Sequence, residues 1–450
     1  MLECCAVLEW AASGAMSLTG QPDGAPVPSP APALAMLETV TEELAQVTRD
    51  TGKRVRPDPA ELITARAALA AYTRRGRTSA GGSSFLLRSA DGWCAVTLSR
   101  PDDLTAVPAI LGVLGLNQAA LPVEPRAMLA AEGLAAEGLA AAALVRPAEE
   151  LAAAAQLLGV PAAALPTPTV PVTGSWPPWR TARIAPPSAS ARLAGAVVAD
   201  LSSMWAGPLC ARLLGLAGAD VVKVESPDRP DGARSGNREF FDWLHAGHRS
   251  LAADFRTVAG RAALKALLGA ADIVIEASRP RALAALGLAP DMIPHPDGQV
   301  WLSITGYGRT APDLVAFGDD AAVAGGLVGW TNGGAAPEPV FCADAIADPL
   351  AGVCGVLAIA RSVAAGGGEL IDLSMRDVAA AFAAAPTSAH GTHEVRPDGF
   401  VTCPRSGRRQ AVLQPRRPVP PPDPMARHAA DLGADTSAVL AWLAGRAAAC

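Results

Sequence analysis

Hydrophobic residues follow two different patterns on either side of about residue 190. Before it, the runs at 60–74 and 125–158 are rich in Ala, Leu and Glu and poor in strand formers, which predicts helices. After it, short Val-, Ile- and Leu-rich runs alternate with helical runs at 209–218 and 257–270. The strand-like runs are AVVADL (196–201), DVVKVE (220–225), SLAADF (250–255), DIVIE (272–276), VWLSIT (300–305) and ELIDLS (369–374). This alternation predicts a parallel sheet covered by helices on both faces.

Turn-forming residues mark the joints between these runs. Asp91-Gly92 interrupts the strand-like run 85–98, and this dipeptide is typical of a hairpin turn. Proline-rich stretches at 22–33, 161–187 and 415–424 disfavour helices and central strands. We expect the second of them to be a linker.

Composition and charge exclude several classes of protein. Half of the 450 residues are hydrophobic, which argues against disorder and allows two or three domains. The net charge of -6 argues against bulk nucleic-acid binding. We find no apolar run long enough for a membrane span and no basic secretory leader. We therefore expect a cytoplasmic protein with no nucleic-acid or membrane partner.

The cysteines and histidines do not predict a metal site. The eight cysteines form no C-x-x-C pair, and scattered cysteines in a large chain are typical of reduced thiols. His245 and His248 have loop spacing and no acid cluster beside them. We expect no metal ligands.

The segment 196–236 carries the most information about function. It predicts a strand, a turn, a helix and a second strand, with the turn at the sheet edge where ligands bind in open α/β folds. Backbone N–H groups at Ala206-Gly207-Pro208 can receive an anionic group. No G-x-G-x-x-G follows the first strand of this sheet, and the chain contains no P-loop, G-x-S-x-G or H-E-x-x-H motif. From these residues alone, a purely structural unit and a ligand-binding unit are equal alternatives.

The same segment resembles the opening of the family III CoA-transferases, which include formyl-CoA and carnitine CoA-transferases and α-methylacyl-CoA racemases. Asp200-Leu201-Ser202, Ala206-Gly207-Pro208 and the run from Gly218 to Pro227 carry the likeness. Four more blocks follow in the family's order: AGHRSLAADF (246–255), ADIVIEASRP (271–280), LSITGYGRTAP (302–312) and the strand after 366. The resemblance implies that coenzyme A thioesters are substrates and that no separate cofactor is needed.

The resemblance also implies a nucleophile. The family's catalytic aspartate begins a helix in a D-x-x-x-G pattern, which Asp348 and Gly352 match, with Asp344 as the rival. Such a carboxylate attacks the thioester and divides one difficult transfer into easier steps. The alternative is that Asp348 only caps the helix, since Asp is favoured there and Pro349 follows.

The positions that match the family's CoA contacts fall on five segments of this chain. The matching residues are Trp205, Ala206, Ser226, Leu244, His245, Ala246, Gly247, Ala277, Ser278, Arg279, Thr305, Gly306, Tyr307 and Gly308.

The chain departs from the family at several ligand positions. The family usually has Arg at Ser226 and Ala285, where it helps to hold the CoA phosphates, and Asn at Ala277. The candidates to replace these arginines are Arg229, Arg234, Arg279 and Arg281. Racemases of the family carry G-H-D where this chain has Gly318-Asp319-Asp320, so racemisation would lack its histidine.

The order of the blocks predicts a rearranged chain. Signs of the family's small domain lie in the N-terminal third, at Gly81–Ser84, Asp91-Gly92-Trp93 and 158–163. Before them, WAASGAMSLTG (10–20) resembles the segment 322–332, with Gly14 matching Gly326 and Thr19 matching Thr331. We therefore expect 1–58 to be a partial repeat of the large domain, 59–165 the small domain, 166–190 a linker and 191–450 the large domain with a tail. The expected fold is α/β, with a Rossmann-like parallel sheet and a smaller α+β domain placed N-terminally.

Two functional hypotheses follow. The first is an acyl-CoA:carboxylate CoA-transferase that acts through an aspartyl-CoA intermediate on Asp348, with an acyl-CoA and a small carboxylic acid as substrates. The second is a CoA-ligand-binding pseudoenzyme or a subunit that needs a partner. In either case the family implies a homodimer or a pseudo-dimer within one chain.

Overall fold

A computed structural model describes most of the chain. The described residues are 5–29, 31–116, 137–167, 174–331, 336–386, 390–396, 398–421 and 427–449. The helices are α1 (Ala6–Ser13), α2 (Ala33–Thr51), α3 (Pro59–Ala70), α4 (Pro101–Val113), α5 (Ala148–Leu157), α6 (Ala206–Leu216), α7 (Arg238–His245), α8 (Val258–Ala270), α9 (Pro280–Ala285), α10 (Gly318–Ala324), α11 (Ala347–Ala364), α12 (Met375–Ala383) and α13 (Thr436–Ala449). The strands are β1 (Ser84–Arg88), β2 (Trp93–Thr97), β3 (Ala162–Ala164), β4 (Trp179–Arg183), β5 (Val197–Asp200), β6 (Asp220–Glu225), β7 (Arg249–Ala252), β8 (Ile273–Glu276), β9 (Val300–Thr305), β10 (Val328–Trp330), β11 (Pro339–Phe341), β12 (Glu369–Ser374), β13 (Glu394–Val395), β14 (Phe400–Thr402) and β15 (Arg409–Ala411).

A seven-stranded sheet forms the centre of the large α/β unit. Its order is β4-β12-β9-β8-β5-β6-β7, and every pairing is parallel except the one between β4 and β12. The strands β6, β9 and β12 begin and end at the residues predicted from the hydrophobic runs. The predicted mixed α/β fold with a mostly parallel sheet is confirmed.

The proline-rich segment 166–190 is more than a linker. It contains β4, an edge strand that pairs antiparallel with β12 from Trp179–Leu373 to Arg183–Glu369. Proline is tolerated beside an edge strand because only one side of that strand needs its N–H groups. The proline content of this segment predicted a linker, but the segment contains the strand at one edge of the sheet.

A smaller antiparallel sheet lies in the N-terminal third. The strands β1 and β2 form the hairpin predicted at Asp91-Gly92, with Leu87 opposite Cys94, and β3 pairs with the other edge of β2. Residues 137–143 and α5 are helical, in agreement with the predicted run, whose first part, up to 136, lies outside the described residues. Buried side chains of β1, β2, α4 and α5 form a core separate from that of the large sheet.

The helices between residues 5 and 70 pack into the core of the large sheet. Leu37 and Leu44 of α2, and Leu62 and Ile63 of α3, belong to the same buried cluster as α6 and α11. The helix α3, which the sequence interpretation grouped with 59–165, therefore contributes to the larger core. The helix α11 is long and apolar enough to span a membrane by length and composition, but 83% of it is buried inside this fold.

The two similar segments near residues 14 and 326 touch each other. Gly14 and Gly326 both have positive φ angles, of 90° and 76°. A Cβ placed on Gly329 would stand only 2.8 Å from the methyl carbon of Thr19. The Thr19 hydroxyl also accepts a hydrogen bond from the backbone N–H of Ala343, at 2.9 Å. The N-terminal segment thus packs directly beside the start of α11.

Candidate active site

Asp348 lies in the first turn of α11 and is partly exposed. The backbone N–H of Asp348 donates to the carbonyl of Ala345 at 2.9 Å, which tightens the turn that begins the helix. Its carboxylate lies against Gly318, and a Cβ on that glycine would come within 2.3 Å of Asp348 Oδ2. The position beside the carboxylate therefore has room for glycine and for no larger residue without movement.

Gly352, the other end of the D-x-x-x-G pattern, has a packing role. A Cβ there would stand 2.7 Å from the carbonyl oxygen of Ala206 and 3.1 Å from the Leu209 side chain. The helices α11 and α6 therefore approach closely one turn after Asp348. This contact holds the start of α11 beside the start of α6, where the turn after β5 ends.

The surroundings of Asp348 change its acidity. Burial raises the pKa of Asp348 to about 7, and the charges of Asp319 and Asp344 act in the same direction. Arg66 and a hydrogen bond from the Gly318 backbone oppose this rise in the pKa. A carboxylate that titrates near neutral pH is more basic, and so a stronger nucleophile once ionised, than one with an ordinary pKa.

Asp344, the rival nucleophile, is occupied. Its fully buried carboxylate accepts two hydrogen bonds from Arg66 of α3, with Nε–Oδ2 at 2.8 Å and Nη2–Oδ1 at 2.6 Å. Burial alone would lower the pKa of Arg66, but the charge of Asp344 raises it above the usual value. The guanidinium also lies over the Trp205 ring, 4.9 Å from its centre. Asp344 therefore serves to position Arg66.

Asp319 is held in a similar way by the N-terminal part. Its Oδ2 accepts a hydrogen bond from the Ser84 hydroxyl at 2.9 Å, and its Oδ1 accepts one from the Ala345 N–H at 3.0 Å. Burial, followed by the charge of Asp344, raises the pKa of Asp319. With both oxygens engaged and almost no exposure, Asp319 is badly placed to act as a base in solvent contact.

Asp320 completes the acidic group behind Asp319. Its carboxyl accepts hydrogen bonds from the Thr97 hydroxyl and the Phe317 N–H, both at 3.0 Å. Burial raises the pKa of Asp320 to about 8, so its neutral form predominates at pH 7. Asp320 therefore joins α10 to β2 without adding a full charge.

Most of the residues matched to CoA contacts lie at one edge of the sheet. The parallel strands β5, β6, β8 and β9 end there and are followed by four of the five matched segments, whereas the segment 244–247 follows α7 and precedes β7. Ser226, Ala246, Gly247, Ala277, Ser278, Arg279 and Tyr307 are at least partly exposed. The remaining seven are buried: Trp205, Ala206, Leu244, His245, Thr305, Gly306 and Gly308.

Several buried residues in that set support the loops from behind. The Trp205 ring lies under Arg66 and packs edge-on against Phe240, with the ring centres 5.4 Å apart. The Thr305 hydroxyl accepts a hydrogen bond from the Gly308 N–H at 2.7 Å. His245 is 2% exposed, and burial lowers its pKa well below the usual value, with the charge of Lys223 adding to the effect. These side chains therefore shape the edge rather than present polar atoms to a ligand.

A buried lysine fixes the turn after β5. Lys223 of β6 donates to the Ser202 carbonyl and to Asp231 Oδ2, the latter at 2.9 Å. The other oxygen of Asp231 accepts the Met204 N–H at 3.0 Å. The ion pair between Lys223 and Asp231 therefore holds the turn in place through the backbone of Ser202 and Met204.

Arginines at the same edge differ in their partners. Arg234 makes a two-pronged ion pair with Glu225, and Arg281 contacts Asp313 at 3.2 Å. For Arg229 and Arg279, no carboxylate partner lies within the described part of the chain. Burial lowers the pKa of Arg279, and the charges of Arg281, Arg100 and Arg229 lower it further. The charge of Asp313 opposes this effect on the pKa of Arg279. Arginines that are not engaged by a carboxylate, as at Arg229 and Arg279, are suited to an anionic ligand.

Sequence reasoning did not identify Arg66 or Ser84 as site residues. Both belong to the N-terminal part, more than 230 residues from the carboxylates that they bind. Gly81 belongs to the glycine-rich loop that resembles a displaced part of the family's small domain. A Cβ placed on Gly81 would stand 3.6 Å from Arg66 Nη2. The displaced loop was thus the available signal that this part of the chain approaches the carboxylates.

Comparisons with known proteins agree with the motif order. The family model "CoA-transferase family III" matches residues 193–420. The succinate–glutarate CoA-transferase of Agrobacterium fabrum is 32% identical over 215 residues, which cover 43% of this chain and 54% of that protein. A formyl-CoA:oxalate CoA-transferase of Escherichia coli is 29% identical over 202 residues, or 42% of this chain and 48% of that protein.

A solved structure shows the same partial match. A CaiB/BaiF family protein from Brucella suis is 30% identical, with a TM-score of 0.38, over 43% of this chain and 55% of that chain. The chain spans about half the length of the curated relatives named above. Since the family model covers half of the chain and its blocks occur in order, this protein belongs to CoA-transferase family III.

Proposed function

We propose that this protein moves coenzyme A from an acyl-CoA donor to a carboxylic acid, with Asp348 as the covalent nucleophile. The observation that carries the proposal is the difference among the three neighbouring carboxylates. Asp344 and Asp319 have both oxygens engaged by protein donors, whereas Asp348 is partly exposed and faces a glycine. Asp348 is therefore the carboxylate that a substrate can reach.

The proposed reaction keeps its atoms and electrons in balance. The Asp348 carboxylate attacks the thioester carbonyl, and the C–S bond breaks to give a mixed anhydride and CoA thiolate. The thiolate then attacks the aspartyl carbonyl, which releases the donor's carboxylate and leaves an aspartyl-CoA thioester. The acceptor carboxylate repeats the sequence in reverse, so that CoA leaves on the acceptor and Asp348 is regenerated.

Local charge supports this chemistry. Anions are stabilised at the N-terminus of a helix, and Asp348 lies in the first turn of α11. Arg66 adds a positive charge that acts on Asp348 while it remains bonded to Asp344. We propose that both features stabilise the oxyanions that form at the aspartyl and acyl carbonyls.

For the CoA phosphates, we propose Arg279 with Arg229. Arg234 and Arg281 already have carboxylate partners, so they have less to offer a phosphate. Arg279 is partly exposed on the loop after β8, which matches a family contact segment. This pair would replace the arginines that the family carries at the positions of Ser226 and Ala285.

We further propose that the N-terminal segment does the work of a second subunit. Arg66 and Ser84 reach the carboxylates, and Thr19 packs beside the similar segment near Gly329. A pseudo-dimer within one chain would thereby complete the site.

The residues Ser226 and Ala285, which stand where the family usually has arginines, favour the alternative function, a CoA-ligand-binding protein without turnover.

One assay separates the candidate activities. The protein is incubated in D₂O with a panel of acyl-CoA donors, including 2-methylacyl-CoA, and with small mono- and dicarboxylic acids. The proposal predicts new acyl-CoA products and no deuterium at the α-carbon, because Asp319 is engaged and no histidine replaces it. Deuterium exchange at turnover rates without CoA transfer would indicate a racemase. Tight CoA binding with neither reaction would indicate a ligand-binding protein.

A further inference from the structure

Two cysteines and two histidines meet outside the acidic cluster around Asp348. Cys5, His390, His393 and Cys403 place their donor atoms within 4.8 Å of one another. Cys5 Sγ lies 2.9 Å from His393 Nε2, and Cys403 Sγ lies 3.5 Å from His390 Nδ1. We propose that these four residues form a tetrahedral Cys₂His₂ zinc site that holds the N-terminus to the C-terminal hairpin.

The donor set suits zinc more than other common ions. Two thiolates and two imidazoles are a usual ligand set for structural zinc, whereas calcium and magnesium require oxygen ligands. Zinc bonds of about 2.0–2.3 Å in a tetrahedron place donor atoms about 3.3–3.8 Å apart. The separation of 3.5 Å between Cys403 Sγ and His390 Nδ1 lies in this range. Cys5 Sγ and His393 Nε2, at 2.9 Å, must move slightly apart, and donor atoms separated by up to 4.8 Å must move closer together to complete the geometry.

Burial also favours a closed site. Cys5 and Cys403 are 4% and 0% exposed, and His390 is 9% exposed. Within the described residues, the buried Nε2 of His390 has no hydrogen-bond partner, while its Nδ1 contacts the Cys403 thiol and its ring stacks against His393. Buried polar groups ordinarily have partners, and an imidazole left without them needs an explanation. A metal ion among the four side chains supplies one.

The hairpin positions Cys403 as a ligand. Cys403 directly follows β14, and its backbone bonds to Arg408 and Gly407 at 2.9 Å close the turn that leads to β15. The turn therefore holds Cys403 in a fixed position on the hairpin.

The proposed site joins distant parts of the chain. Cys5 immediately precedes α1, which has no side-chain cap at that position. Further along α1, the carbonyl of Ala11 accepts a hydrogen bond from the N–H of Leu413, just after β15. A cavity of about 1040 Å³ beside Cys5, His390 and His393 gives a metal ion a route to the cluster. The role is structural, since all four coordination positions are filled by protein.

No C-x-x-C pair marks this site in the sequence. Its two cysteines stand 398 residues apart, and the two histidines are separated by two residues of a different segment. Only the folded chain brings them together.

Metal analysis of the intact chain tests the proposal. The untagged protein is produced in zinc-containing medium, purified without chelator and measured by mass spectrometry of the metal. We expect about one zinc per chain, as one tetrahedral site requires. Cys403→Ser and His390→Ala are expected to lower zinc affinity by more than about 100-fold, beyond the effect of losing an outer contact. Cys4→Ser and His428→Ala are matched controls and should keep full zinc.

A second measurement guards against variants that fail to fold. Wild-type protein is stripped of metal, reloaded with Co²⁺ and examined for the absorption bands of tetrahedral cobalt bound to thiolate. The appearance of these bands, and their loss when added zinc displaces the cobalt, supports the proposal. A wild-type chain without zinc that shows no such bands, or that carries a Cys5–Cys403 disulfide, overturns it. Equal zinc content in Cys5→Ser and wild type, with loss in Cys4→Ser, overturns the ligand assignment.

Discussion

The large sheet and the N-terminal third contribute to the carboxylate cluster in different ways. The sheet part supplies all three carboxylates and the loops at the ligand edge. The N-terminal part supplies the groups that bind two of them, Arg66 for Asp344 and Ser84 for Asp319. The sheet part thus carries the proposed nucleophile, Asp348, and the N-terminal part engages the two carboxylates beside it.

The largest effect is expected within the sheet part. Asp348→Ala removes the proposed nucleophile and should lower transfer activity by about 10³-fold or more. The fold should persist, because Asp348 lies inside the first turn and is not the N-cap, and removing a negative charge near a helix N-terminus costs only about 0.3–1 kcal/mol. Steady-state kinetics and a thermal melt measure the two quantities.

Asp344→Ala is the matched control for that experiment. It removes a carboxylate that is already paired, and its effect on the activity of the folded fraction should be milder. If Asp344→Ala is inactive and Asp348→Ala is active, the roles of the two carboxylates are reversed.

The next effect concerns the N-terminal part. Arg66→Met leaves the fully buried Asp344 without a cation, and breaking a buried ion pair in this way costs about 3–5 kcal/mol. Urea unfolding measures the loss of stability. Arg56→Met, an exposed arginine paired with exposed Glu42, should change stability by no more than about 0.5 kcal/mol.

A double substitution sharpens this prediction. Arg66→Met combined with Asp344→Leu removes both charges and should recover much of the stability, since apolar replacement of a buried pair is often neutral. Recovery of stability without recovery of activity would show that the N-terminal part contributes charge to the reaction. A single Arg66→Met variant as stable as wild type would contradict the buried pair.

The pH profile links the two parts. The pKa of Asp348 is raised to about 7, and only the ionised carboxylate can attack. Activity per active site should therefore fall about tenfold per pH unit below pH 7 and level off above it. Asp319→Asn removes a nearby negative charge, which should shift this acid limb to lower pH. An acid limb that does not move in Asp319→Asn would mean that another group controls it.

A smaller effect is expected at the ligand edge. Arg279→Ala should raise the KM for acyl-CoA about tenfold, since a hydrogen bond to a charged group contributes ~1.5 kcal/mol or more. Arg281→Ala is the control, because that side chain pairs with Asp313. Equal KM changes in the two variants would argue against a specific role for Arg279.

These contrasts also show where sequence reasoning succeeds. The strands β6, β9 and β12 were predicted to the residue because buried parallel strands are short apolar runs with clear breaks. The D-x-x-x-G pattern could also be found from neighbouring residues alone, because it spans five residues of one helix. Gly352 is required there by the close approach of α11 to α6.

Other features depended on contacts between distant residues. Nothing near Arg66 in the sequence indicates that it binds Asp344, because the pairing arises only when α3 packs against the large core. The edge strand β4 was missed because prolines on both sides of it predicted a linker, and its partner β12 lies about 190 residues away in the sequence. The Cys and His cluster was missed for the same physical reason.

The most direct test of the central claim is to trap the covalent intermediate. The protein is mixed with an acyl-CoA in the absence of an acceptor acid, quenched, digested and examined by mass spectrometry with fragmentation across residues 344–348. The account predicts a CoA thioester on Asp348, which is absent in Asp348→Ala and retained in folded Asp344→Ala. A CoA adduct on Asp344, or steady CoA transfer with no adduct on either residue, would contradict it.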